Sequence, residues 1–79
     1  AGDHQMRNAE AMERAGAARL VQDAEMNGEK LFALAAELSR DPESLARMAE
    51  AARHLARPGA AARAAEILEE AARGRYDFR

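Results

Sequence analysis

Apolar and small residues recur along most of this chain at spacings of three and four, so helix is predicted almost throughout and the boundaries come from the punctuation. Asp3 predicts the cap of a first helix running over 3–15, and Gly16 stands where a left-handed C-terminal cap belongs. The next six residues, 17–22, hold the single valine beside a leucine and predict a short strand. Asn27 predicts the cap of a second helix over 28–40, with Leu31, Leu34, Ala35 and Leu38 on one face at i, i+3, i+4 and i+7. Asp41-Pro42-Glu43 is a start signal with three parts: an acceptor at the cap, proline at the first helical position and an acid in the first turn. The third helix, 42–57, carries the stripe Leu45, Met48, Ala49, Ala52, Leu55 and Ala56, and Arg57-Pro58-Gly59 ends it. A last helix over 60–73 turns Ala64, Ile67, Leu68 and Ala71 inward and stops at Gly74, leaving 75–79 as a frayed tail.

Four helices with short connections make a small bundle, but a strand at 17–22 has no partner in such a bundle for its backbone donors and acceptors. A helix, glycine, strand, helix order is what an α/β domain shows near its C-terminal edge. The fold expected is therefore mostly α, four helices with one short strand, forming the C-terminal end of a Rossmann-like α/β domain.

Composition sharpens this. Of 79 residues 48% are hydrophobic, yet 22 are alanine, and only 16 larger apolar side chains remain to build a core. So few predict that the chain is a piece of a larger protein. With no cysteine there is no disulfide framework and no thiol chemistry. Twelve basic and fourteen acidic residues are interleaved to a net charge of -2, which offers no electrostatic footprint for nucleic acid or anionic lipid. No apolar run approaches the 18 or so residues of a membrane span, and Asp3, Glu10 and Glu13 fall where a secretory signal would be basic and then apolar. His4 and His54 lie fifty residues apart and lack metal-ligand spacing. His54 reads as a surface residue, the methionines as gap fillers, and Glu66, Glu69 and Glu70 as the wet face of the last helix.

One stretch carries candidate chemistry. On a helix Gln5 and Asn8, three apart, share a face near the N-terminus, where unpaired backbone N–H groups favour anions such as a diphosphate. A Gln amide offers one acceptor and two donor hydrogens, which suits a pair of sugar hydroxyls, and Asn can do the same. The run Asp3-His4-Gln5-Met6-Arg7-Asn8-Ala9, followed by Gly16-Ala17-Ala18, Asp41-Pro42-Glu43, Met48-Ala49 and Pro58 in that order, resembles the C-terminal portion of the MurG family of bacterial glycosyltransferases. The resemblance spans nearly the whole chain. It implies a two-Rossmann-domain (GT-B) enzyme that transfers N-acetylglucosamine, with inversion and without a metal or cofactor, from UDP-N-acetylglucosamine to lipid I to form lipid II in peptidoglycan synthesis.

On that resemblance residues 1–79 are the C-terminal portion of the donor-binding domain. Gln5 contacts the N-acetylglucosamine of the donor, and His4 and Asn8 lie in or just behind the donor site; Met6 and Arg7 fall at variable positions and inherit no role. No catalytic residue belongs to this stretch, so the piece alone is expected to be inactive. The intact enzyme is expected in the cytoplasm, peripheral on the inner face of the membrane, with UDP-N-acetylglucosamine, lipid I and a missing N-terminal domain as partners and no nucleic acid. Two other readings stand beside it: a freestanding helical interaction module, and a transferase of the same architecture for another nucleotide sugar. An unpaired strand edge and the apolar stripe of the last helix, Ala64, Ile67, Leu68 and Ala71, placed to lie against the other domain of the enzyme, also predict self-association of the isolated chain once those partners are missing.

Overall fold

A computed structural model describes residues 2–26 and 28–74, with the course of the helix alone for 2–7. Four helices follow one another: α1 (Gly2–Met26), α2 (Leu31–Leu38), α3 (Pro42–Arg53) and α4 (Pro58–Ala72). There is no strand among the described residues. The mostly helical expectation therefore holds and the strand at 17–22 does not: that segment lies inside α1. Ala17, Leu20 and Val21 are buried and Ala24 packs half-buried against the same core, a spacing of three and four that puts one helical face inward. With no strand beside it, an extended 17–22 would leave its N–H and C=O groups unpaired, whereas a helix pairs them within the segment.

Gly16 is accordingly a helix-interior residue and not a cap, and Asp3 lies within the first turn of α1 instead of ahead of it. The glycine that ends α1 is Gly28, at φ +74, whose N–H donates to the Asp23 carbonyl at 2.9 Å. Because Gly28 is spent on that stop, α2 begins at Leu31 and not at 28; the expected cap Asn27 and the expected frayed tail 75–79 lie outside the described residues.

The Asp41-Pro42-Glu43 signal works as read. Asp41 Oδ1 accepts from the Glu43 N–H at 3.3 Å and Pro42 opens α3. That helix closes earlier than its stripe suggested, at Arg53. The His54 and Leu55 N–H groups bond three residues back, to Ala51 and Ala52, and Arg57 is held at φ −143, ψ 72 ahead of the proline, which disfavours the helical region for it. Leu55 and Ala56 therefore leave the buried face. Pro58 is the first residue of α4 and Gly74, at φ +71, follows its end.

Helix α4 is the centre of the molecule. Ala61, Ala64, Ala65, Ile67, Leu68 and Ala71 are buried on it, and it packs on α1, α2 and α3. Alanine makes this possible, since side chains that small let helix axes approach closely. The stripe expected to face another domain is thus covered within the chain, with Leu20, Ile67 and Leu68 the largest side chains fully enclosed. Neither feature expected to drive self-association, an unpaired strand edge or an apolar stripe left uncovered on the last helix, occurs among the described residues.

Candidate functional site at the start of the first helix

The helical course of α1 runs through positions 4, 5 and 8, so 5 and 8 keep the i, i+3 relation expected of them. The side chains of His4 and Gln5 lie outside the described residues, and Asn8 is exposed. Exposure continues through residue 12, where Met12 has 72% of its surface open. The described part of the arm from Asn8 to Met12 therefore stands on the surface, and the first buried side chain along it is charged.

That side chain is Glu13, 7% exposed. Both its carboxylate oxygens accept from the Arg47 Nε, at 3.1 and 2.9 Å, and Oε2 also accepts from an Arg47 terminal nitrogen at 2.8 Å and from the Ser44 hydroxyl at 3.0 Å. Arg47 holds the carboxyl below the usual glutamate range; burial opposes this and the Ser44 hydroxyl assists it. The guanidinium is correspondingly pushed up by Glu13, with Asp41 and Glu43 nearby adding to the effect. Ser44 lies in the first turn of α3, where the helix end favours negative charge. Sequence reading missed this cluster. Its signal was an acid standing four residues before Ala17, in phase with Leu20 and Val21, and it becomes visible only once α1 is continuous.

Beside the cluster runs an apolar groove between α1 and the α2–α3 turn, lined by Met12, Gly16, Leu38 and Met48 with Arg19 at its edge. At the opposite end of α1 Arg57 donates to both oxygens of Glu25, at 3.0 and 2.9 Å. The three glutamates on α4 are not one wet face. Glu69 is half-buried and takes Arg53 of α3 in a two-point pair, one bond of it 2.8 Å, which lowers its carboxyl below the ordinary range, while Glu70 meets Arg73, the residue that caps the end of the same helix. His54 faces Glu50 at 3.5 Å on the surface. No cluster of three or more potential metal ligands occurs among the described residues.

The family model of the glycosyltransferase family 28 C-terminal domain matches residues 1–70. Three relatives carry the name UDP-N-acetylglucosamine–N-acetylmuramyl-(pentapeptide) pyrophosphoryl-undecaprenol N-acetylglucosamine transferase. The protein from Solibacter usitatus is 60% identical over 73 residues, 92% of this chain and 19% of the relative. That from Chlorobaculum tepidum is 47% identical over 68 residues, 86% of this chain and 19% of the relative. That from Halothermothrix orenii is 37% identical over 73 residues, 92% of this chain and 20% of the relative. The chain thus spans about a fifth of the length of the curated relatives it matches. No solved structure matches it. With the model covering all but nine of its 79 residues, the chain belongs to the glycosyltransferase family 28 C-terminal domain family.

Proposed function

We propose that the chain is the C-terminal end of the donor-binding domain, of Rossmann-like GT-B type, in an enzyme that moves N-acetylglucosamine from UDP-N-acetylglucosamine to lipid I, giving lipid II for peptidoglycan. The observation that carries this reading is the 60% identity, over 92% of the chain, to a relative whose name states that donor and that acceptor. In the reaction the acceptor sugar's 4-hydroxyl attacks the anomeric carbon from the face opposite the departing UDP, so the configuration inverts. The acceptor is a lipid, so the intact enzyme works peripherally on the inner face of the cytoplasmic membrane. No described helix is long and apolar enough to cross a membrane.

Within this chain the donor contacts are Gln5, whose amide meets hydroxyls of the transferred sugar, and Asn8 and His4, in or just behind the donor site. The support is the order of residue types at the N-terminal end of α1, where backbone N–H groups favour the diphosphate. In the intact enzyme Gln5→Ala is expected to cost about 1 to 3 kcal/mol of donor recognition, because the hydroxyls it served lose their partner. Steady-state kinetics against UDP-N-acetylglucosamine measure this. An unchanged kcat/KM for the donor removes Gln5 from the site.

A freestanding helical interaction module is favoured by one observation: the described helices close a core of their own, without a strand that asks for a neighbour. It leaves the family match over residues 1–70 without a reason.

A further inference from the structure

The buried charge at the base of the α1 arm has no counterpart among the other ion pairs described. The side chains of Arg53–Glu69, Arg57–Glu25 and Arg73–Glu70 are all about a third or more exposed, whereas the Glu13 side chain is 10% exposed and joins two helices through residues 31 and 34 positions apart in sequence. From Asn8 to Met12 no side chain is buried. Beyond Glu13, the buried contacts that seat α1 are made by small or apolar residues, Gly16, Ala17, Leu20 and Val21, which resist separation but hold rotation about the helix axis weakly. Among the described residues the one other ion pair from α1 to a different element, Glu25–Arg57, lies exposed at its far end, twelve residues from Glu13. A two-point Arg–carboxylate pair with a third bond from Ser44 is directional and fixes both the tilt and the azimuth of the helix that bears it.

We propose that Glu13, held by Arg47 and Ser44, is a positioning residue that sets the direction of the α1 arm and so places Gln5 and Asn8 at the donor; this rests on the donor-site reading above. At a rise of about 1.5 Å per residue, Asn8 stands about 7.5 Å and Gln5 about 12 Å along the axis from Glu13. A tilt of about 10° at the anchor displaces Gln5 by about 2 Å, enough to break a hydrogen bond to a sugar hydroxyl. The charge is tolerated at this depth because Arg47 and the first turn of α3 both favour it.

The test has two arms. In this chain, which has no native cysteine, Ala9→Cys and Ala62→Cys place spin labels at exposed positions on the arm and on α4, and pulsed electron paramagnetic resonance reads the distance between them. Glu13→Ala is expected to widen the distance distribution about twofold. Ser44→Ala, a milder change that keeps the ion pair, should widen it less, and Glu13→Gln, which keeps one acceptor oxygen but turns an amide NH2 toward the guanidinium, should fall between Ser44→Ala and Glu13→Ala. In the intact enzyme Glu13→Ala should raise KM for UDP-N-acetylglucosamine on the order of tenfold and leave KM for the lipid acceptor unchanged. A distribution as narrow as the parent's overturns the proposal, and so does a fall in kcat with both KM values intact, the signature of lost folded enzyme. A silent Gln5→Ala would sink the donor-site reading instead, while the spin-label distances still judge the anchor.

Discussion

Gly16→Ala discriminates between the two accounts of α1 by sign. In the continuous helix Gly16 is buried and does not have a positive φ, and a Cβ built there meets Leu38 Cδ1, Leu38 Cδ2 and Met48 Cε, each at 3.5 Å. Those are ordinary contacts with the ends of side chains, so the added methyl fits without strain. Replacing glycine by alanine in a helix interior gains about 0.8 to 1 kcal/mol of propensity. Burying one more methyl gains up to about 0.8 kcal/mol. Part of the second gain is lost if Leu38 and Met48 shift, so the expected stabilisation is about 1 to 1.5 kcal/mol. For a chain of this size that raises Tm by about 4 to 12 °C. Had Gly16 been a left-handed cap ahead of a strand, alanine would instead cost about 1 kcal/mol. Urea titration followed by ellipticity at 222 nm decides between them. A midpoint below the parent's, at unchanged m-value, refutes the continuous helix.

Three further outcomes are expected. Gly28→Ala should lower stability by about 1 kcal/mol in the same titration, since φ there is +74 and no side chain adopts it freely; an unchanged midpoint would mean that α1 ends differently. Acid should weaken the fold in a defined window. Glu13 and Glu69 have carboxyls lowered in the folded chain by Arg47 and Arg53, so their stabilisation is fully present above the ordinary glutamate value of 4.5 and is lost as pH falls through the lower folded values. Urea midpoints should then hold steady from pH 7 to about pH 5 and decline below about pH 4.5, less steeply in Glu13→Gln, and a decline equally steep in that variant would remove Glu13 from the cause. Gln5→Ala remains the direct probe of the donor contact.

Local chemistry alone made much of this molecule legible. Asp41-Pro42-Glu43 opened α3, Gly74 closed α4, and the stripes Leu31-Leu34-Ala35, Leu45-Met48-Ala49-Ala52 and Ala64-Ile67-Leu68-Ala71 are the faces that became the core. Each of these signals acts over one or two turns, through a cap, a fixed φ or a helical period, and so can be read without knowing what lies opposite. The residues matching the family were legible in the same way, because the order of residue types from His4 to Pro58 is a property of the sequence itself.

Tertiary structure decided the rest. Residues 17–22 have composition suited to either state, and the absence of a neighbouring strand among the described residues, together with a core awaiting Leu20 and Val21, resolves them as helix. Once α1 is continuous, Gly16 loses its role as a stop to Gly28. Glu13 also becomes an inward-facing charge, whose partners stand 31 and 34 residues away in sequence and only a hydrogen bond away in space. Which of several apolar stripes lies at the centre was likewise undecided by periodicity. The alanines of α4 settle it, because side chains that small let the other three helices approach closely along the buried face from Ala61 to Ala71.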